Sequence, residues 1–222
     1  MALAIFDLDE TLISADSDHA WGEYAVDNNL VEAATYRQQN QTFYEDYQRG
    51  ELDIDAYMRF SCALLASRTL DELLIHRRRF MNERIQPLLL PKAFELVESH
   101  KQKGDTLLVV TATIEFITQP IAQIMGIDNL IAPIPEQING QFTGELDGIP
   151  SFRGGKVTRL NQWLAEQTID EGLSMAGSYF YSDSANDLPL LQLVDHPVAV
   201  DPDPTLEEIA LKNQWPVISL RG

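Results

Sequence analysis

The chain opens with a short apolar run, Ala4-Ile5-Phe6, that stops at two aspartates one residue apart, Asp7 and Asp9. An apolar run ended by turn-forming residues predicts a buried strand with acidic groups at its C-terminal tip. From Leu12 to about Gln86 the pattern turns helical: Ala20-Trp21 recurs with Tyr24-Ala25, Tyr44 with Tyr47, and Leu70 with Leu73-Leu74. Arg49-Gly50 interrupts this region once and predicts a helix stop, with a new start at Asp53 or Asp55. No strand-like stretch occurs there. The block predicts a small helical bundle inserted after the first strand.

Pro87 and Pro91 close the insertion. Beyond them the pattern predicts a helix over 92–103, a strand over 106–110 ending at Thr111-Ala112-Thr113, and a helix over 116–125. A short strand over 130–134 follows, then a hairpin turn signal at Asn139-Gly140 and a helix over 157–166. A strand over 175–181 ends at Ser182-Asp183; a helical stretch over 189–194, a strand over 197–200 and a helix over 206–213 complete the chain. Strands alternating with helices argue a parallel sheet with right-handed crossovers. Ligands bind outside the carboxyl ends of such strands. The tips bearing Asp7 and Asp9, Thr111 and Thr113, and Asp183 are therefore expected to meet at one edge. The expected organisation is an α/β core from residues 1–14 and 88–222, with a helical cap from 15–87.

Composition narrows the chemistry. Asp plus Glu number 34 against 16 Lys plus Arg, a net charge of −18. Such a chain repels nucleic acid and anionic membranes, so any phosphate site must supply its own local positive charge. The single cysteine, Cys62, excludes an internal disulfide framework and a multi-cysteine zinc site. No apolar run approaches a membrane span and no basic segment precedes a signal-like stretch, so a soluble cytoplasmic protein is expected. Two carboxylates at one strand tip repel each other unless a cation sits between them, and oxygen ligands favour a hard cation, Mg²⁺ above all. The plainer alternative is a strand that ends in a solvated acidic turn.

Four stretches then act together. Asp7-Leu8-Asp9-Glu10-Thr11, Thr111 after a hydrophobic strand, Lys156, and Asp183-Ser184-Ala185-Asn186-Asp187 occur in the order of the four motifs of the haloacid-dehalogenase-like superfamily. The chain resembles that superfamily over its whole length, with a helical insert like the cap of the phosphoserine-phosphatase-like subfamily and similarity to its histidinol-phosphatase-like branch. The resemblance implies a Rossmann-like core and a phosphomonoesterase acting on a small-molecule phosphate ester. Asp7 would be the nucleophile and form an aspartyl-phosphate, with Asp9 as general acid and then base. Thr111 would bind phosphoryl oxygens, and Lys156 would neutralise charge on the transferring group. Mg²⁺ would take Asp7, the carbonyl of Asp9, and Asp183, with Asn186 and Asp187 behind them. The superfamily usually places glycine before the motif-four aspartate, where this chain has Ser182.

Substrate choice would rest with the cap. Asp16 falls where phosphoserine phosphatases hold the substrate ammonium group. Their cap arginine aligns with Ser61, leaving Arg59 as the nearby candidate, and their paired glycines are Ala112 and Thr113 here. These departures turn the expectation from phosphoserine towards an amine-bearing ester without a carboxylate, histidinol phosphate being one. Three rival readings stay open: a phosphoserine phosphatase, a phosphotransferase using the same aspartyl-phosphate, and a non-catalytic metal- or partner-binding protein. A monomer or a homodimer is expected. His76, His100 and His196 are scattered, whereas His19 falls near the expected pocket. Arg77-Arg78-Arg79 reads as a solvated helix face, the cap aromatics mainly as core, and Cys62 as a buried small hydrophobe.

Overall fold

A computed structural model of the protein describes residues 2–167 and 173–221. Strand β1, Leu3–Phe6, is buried along its whole length. The chain then forms α1 (Ser17–Asp27), α2 (Ala33–Arg49), α3 (Ile54–Ala66) and α4 (Leu70–Phe80) before it returns to the sheet. There follow α5 (Pro91–Gln102), β2 (Thr106–Val110), α6 (Glu115–Ile124), β3 (Asn129–Ile131), β4 (Ile134–Ile138), β5 (Gln141–Asp147) and α7 (Gly154–Gln167). The last elements are β6 (Tyr179–Ser182), α8 (Leu188–Leu191), β7 (His196–Val200), α9 (Pro204–Asn213) and β8 (Val217–Ile218).

The main sheet is parallel, in the order β3-β2-β1-β6-β7-β8. Strand side chains alternate between faces, and the two hydrophobic cores divide accordingly. Ala4, Phe6, Leu107 and Val109 join the core that includes α1, α5 and α6, while Leu3, Ile5, Leu108 and Val110 join the one beneath α7, α8 and α9. Placing β1 centrally brings its C-terminal tip between those of β2 and β6. The helical segment packs on the first core through Trp21, Tyr24 and Phe80, with Trp21 edge-on to Phe116 of α6. Its two connections to the sheet run side by side: Ile13 bridges to Leu89, and the Ser14 N–H donates to the Leu88 carbonyl at 3.0 Å.

Local signals explain most boundaries. Gly50 ends α2 in the left-handed conformation, and the Asp53 carboxylate caps α3 by accepting from the Ala56 N–H. Thr69 and Glu72 form a reciprocal capping box at α4. The expected strand over 130–134 is two strands instead. Pro133 lies between β3 and β4, and β4 leaves the parallel sheet to pair antiparallel with β5 across Asn139 (φ +52°) and Gly140 (φ +76°). Strand β5 lies against α3, so this hairpin joins the core to the helical segment. The strand expected from Met175 starts at Tyr179, because a turn closed by the Ser178 N–H on the Met175 carbonyl precedes it. The helical stretch expected at 189–194 is the shorter α8 behind a 3₁₀ turn, Ala185–Asp187, and the two-residue edge strand β8 has no counterpart in the sequence pattern.

Candidate active site

Asp7 caps the tip of β1, where its N–H donates to the Tyr181 carbonyl at 2.9 Å. Its carboxylate is 3% exposed and accepts from Lys156 Nζ at 2.8 Å. Lys156 also donates to Asp187 at 2.7 Å, and Asp187 accepts from the Ser182 hydroxyl at 2.8 Å. Burial raises the Asp7 pKa to about 7, against the opposing pull of the Lys156 ammonium. Burial also works against the ammonium itself, but the carboxylates of Asp187 and Asp7 outweigh it and hold the Lys156 pKa above its ordinary value. The lysine therefore stays charged. Its arrival depends on Gly155, since a Cβ there would lie 2.1 Å from the Pro150 carbonyl oxygen.

Beyond β1 the chain curls so that the Asp9 carboxylate accepts from the Ser17 N–H at 2.7 Å and from the Thr113 hydroxyl at 2.8 Å. Burial pushes this carboxyl up to about 7, with the Asp16 charge adding to it and the two hydrogen bonds opposing. Thr11, to which the sequence reading gives no separate role, donates from its hydroxyl to Asp183 Oδ1 at 2.9 Å and accepts from the Asp183 N–H at 3.1 Å. It ties the β1 tip to the β6 tip. Burial raises the Asp183 carboxyl well above the usual carboxylate range, and the Asp7 charge adds to it. Thr111 is 1% exposed; its hydroxyl accepts from the Thr113 N–H at 3.1 Å, and its carbonyl accepts from the Ser151 hydroxyl at 2.6 Å. Thr111 does not cap α6, whose N-cap position is held by Ile114.

A cleft with about 510 Å³ of atom-free space joins Asp7, Asp9, Thr111, Ala112 and Thr113 to the helical segment. There it meets Asp16, His19, Asn40 and Leu52, and an aromatic wall that includes Phe43, Tyr44, Tyr47 and Tyr57. Asp16 caps α1 by accepting from the His19 N–H at 2.7 Å, and burial lifts its carboxyl to about 7. His19 stacks on Tyr44 at 4.6 Å, and Asn40 Nδ2 lies 3.0 Å from its carbonyl and 3.2 Å from its Nδ1. Arg59 is exposed on α3 and does not line the cleft, nor does any other arginine or lysine of the described residues. Ser61 points inward on the same helix, to Asp18 at 3.4 Å. The Asn186 amide accepts from Arg153 Nε and donates to the Tyr47 carbonyl.

Asp18 and Arg153 are site-region residues without a sequence signal. Asp18 is 4% exposed, with hydroxyl partners Tyr57 and Ser61, and burial raises its carboxyl to about 7. Arg77, read as solvated, donates to the Phe116 carbonyl at 2.9 Å and lies over that ring.

The oxygen donors fit a hard cation. Asp7 and Asp183 offer carboxylates whose mutual repulsion a cation would relieve, and no backbone hydrogen bond among the described residues uses the Asp9 carbonyl. Among the described residues no three His, Cys, Asp or Glu side chains form a ready metal cluster.

Buried carboxylates at one strand tip, a buried lysine and a second acidic tip, set together at the carboxyl edge of a parallel sheet, define a class. The family of haloacid dehalogenase-like hydrolases matches residues 4–192, and the chain belongs to it. It is 50% identical over 221 residues to the histidinol-phosphatase of Neisseria meningitidis serogroup C, covering 99% of each chain. A phosphoserine phosphatase of Mycobacterium tuberculosis is 29% identical over 226 residues, covering 99% of this chain and 71% of that one. Among solved structures, a Bordetella pertussis protein of unknown function superposes with a TM-score of 0.91 at 43% identity, covering 99% of this chain and 98% of that one. A substrate-bound phosphoserine phosphatase shares the fold, with a TM-score of 0.70 at 18% identity over 99% and 93% of the two chains. The chain is a phosphatase, a hydrolase of phosphate monoesters.

Proposed function

We propose that the substrate is a small phosphate monoester whose alcohol carries an amine and no carboxylate, with histidinol phosphate the leading candidate. The observation that carries this is the wall of the cleft. It runs from Asp7 to the buried carboxylate of Asp16 and an aromatic surface, and no described arginine or lysine lines it. An ammonium group placed beside Asp16 would offset the charge repulsion among Asp9, Asp16 and Asp18. A phosphoserine carboxylate would meet the same acids unpaired, which disfavours that substrate. The Neisseria relative's name supports the same choice.

In this reading residues 15–87 form a cap over the core, and Asp7 attacks phosphorus while Asp9 gives its proton to the departing alkoxide. The resulting aspartyl-phosphate is opened by a water whose proton Asp9 takes, releasing phosphate and restoring Asp7. Thr111 and the neighbouring N–H groups hold the phosphoryl oxygens, and Lys156 balances their charge. Asp7, Asp183 and the Asp9 carbonyl would hold Mg²⁺, which when bound supplies positive charge at the phosphoryl group. Among the described residues no helix is long and apolar enough to cross a membrane; a cytoplasmic location is proposed on the likeness to the Neisseria relative.

The test is phosphate release with Mg²⁺ from histidinol phosphate, phosphoserine, phosphoethanolamine and sugar phosphates, with Asp16→Ala alongside. A preference for histidinol phosphate that Asp16→Ala reduces by about tenfold or more supports the reading, since a charge-assisted contact is of that size. Preference for phosphoserine, or an Asp16→Ala enzyme that matches the parent on amine-bearing esters, overturns it.

A further inference from the structure

Arg153 sits just ahead of α7 and the catalytic lysine, with φ at +49°, in the left-handed region that disfavours a residue with a Cβ. Its side chain is exposed, yet it makes two hydrogen bonds. Nε donates to Asn186 Oδ1 at 3.1 Å, a terminal nitrogen donates to the Gly50 carbonyl, and Cζ lies 5.0 Å from the centre of the Phe152 ring. Gly50 ends α2, where free carbonyls and the negative end of the helix dipole favour a cation. Asn186 donates in turn from Nδ2 to the Tyr47 carbonyl at 3.2 Å, in the last turn of the same helix. The Tyr47 ring approaches the buried Phe152 at 6.2 Å and lines the active-site cleft. These hydrogen bonds cross from the sheet side to the helical segment, and on the sheet side they spring from Arg153, just ahead of the first turn of α7 that holds Lys156, and from the 3₁₀ turn that holds Asp187.

We infer that Arg153 is a positioning residue for the phosphatase reaction, latching the end of α2 onto the start of α7 and the Asp187 turn and so fixing Tyr47 in the wall beside Asp7. The planar guanidinium suits the task, because two acceptors on different segments are met by one rigid group that a lysine ammonium cannot imitate. Both ends of the Asn186 amide are engaged on this seam, so the amide braces the seam as well as its own loop. Gly50 completes the device: its φ of +69° makes the turn, and a Cβ there would stand 3.3 Å from the guanidinium. The inference rests on the phosphatase chemistry and not on which ester is the substrate.

Arg153→Ala and Arg153→Lys test it, read by hydrogen exchange and by turnover of p-nitrophenyl phosphate. In Arg153→Ala the amides of residues 47–51 should exchange about tenfold faster while those of β1 and β2 keep the parental rate, as a local opening requires. The kcat/KM should fall about tenfold, the scale of one charge-assisted hydrogen bond, and Arg153→Lys should not restore it. Parental exchange at 47–51, an equal rise throughout the molecule, parental kcat/KM, or full rescue by lysine would each overturn the latch.

Discussion

At the scale of single residues, the tightest coupling joins Asp7, Lys156 and Asp187, three ionisable side chains each about as buried as a core leucine. Lys156→Met leaves two buried carboxylates without their counter-charge, and breaking such a pair costs about 3–5 kcal/mol. Urea unfolding should register a loss of that size. Asp7→Asn is different, because its amide oxygen still accepts from Lys156 while the proposed nucleophile is gone. Turnover should drop by roughly 10⁴-fold, a scale seen when an essential nucleophile is removed, with the circular dichroism spectrum retained. Asp18 offers a pH test. Its carboxyl would ionise near 3.8 when unburied, but burial moves it to about 7, with the Asp9 charge adding to the shift and the hydroxyls of Tyr57 and Ser61 opposing it. Between these values the folded chain binds more protons than the unfolded one, so this group's contribution to stability falls as pH rises and levels off above pH 7. Asp18→Asn should therefore melt above the parent at pH 8, by about 1–3 kcal/mol of stability, and the gap should close towards pH 4.

At the scale of elements, tight backbone contacts decide where the chemistry stands. The turn into α7 passes so close to the Pro150 carbonyl that only glycine fits at 155. Gly155→Ala must displace backbone, and an overpacking strain of about 1–3 kcal/mol is expected. A lower melting temperature together with a raised KM would show that the displacement reaches Lys156. A parental KM would place the strain elsewhere. The Asn139-Gly140 hairpin was legible because both residues tolerate positive φ, and the start of α3 because Asp53 is a good cap. The division of 130–134 into β3 and β4 was not legible, since nothing in that apolar run states that Pro133 parts two sheets. The reach of β5 to α3 is likewise a packing outcome.

At the scale of the whole molecule, the active site is a point of concentrated negative charge in a chain of net charge −18. Binding Mg²⁺ at Asp7 and Asp183 should raise the melting temperature with metal concentration, as any ligand selective for the folded state does. Asp183→Asn should abolish most of that increment, and a melting temperature indifferent to Mg²⁺ in the parent would count against the proposed cation.

The residue order alone determined the alternation of strands and helices, the helical block after β1, and the candidate chemistry at Asp7, Asp9, Thr111, Lys156 and Asp183. Those features are written in local periodicity, capping residues and a spaced motif. Only the tertiary structure decided that Thr11 links two strand tips, that Asp18 lies buried on hydroxyl partners, that Arg59 faces away from the cleft, and that Arg153 spans the seam to α2. The physical reason is sequence distance. Thr11 and Asp183, or Gly50 and Arg153, meet because sheet order and helix packing bring remote backbone together, and no periodicity along the chain encodes which remote side chain arrives.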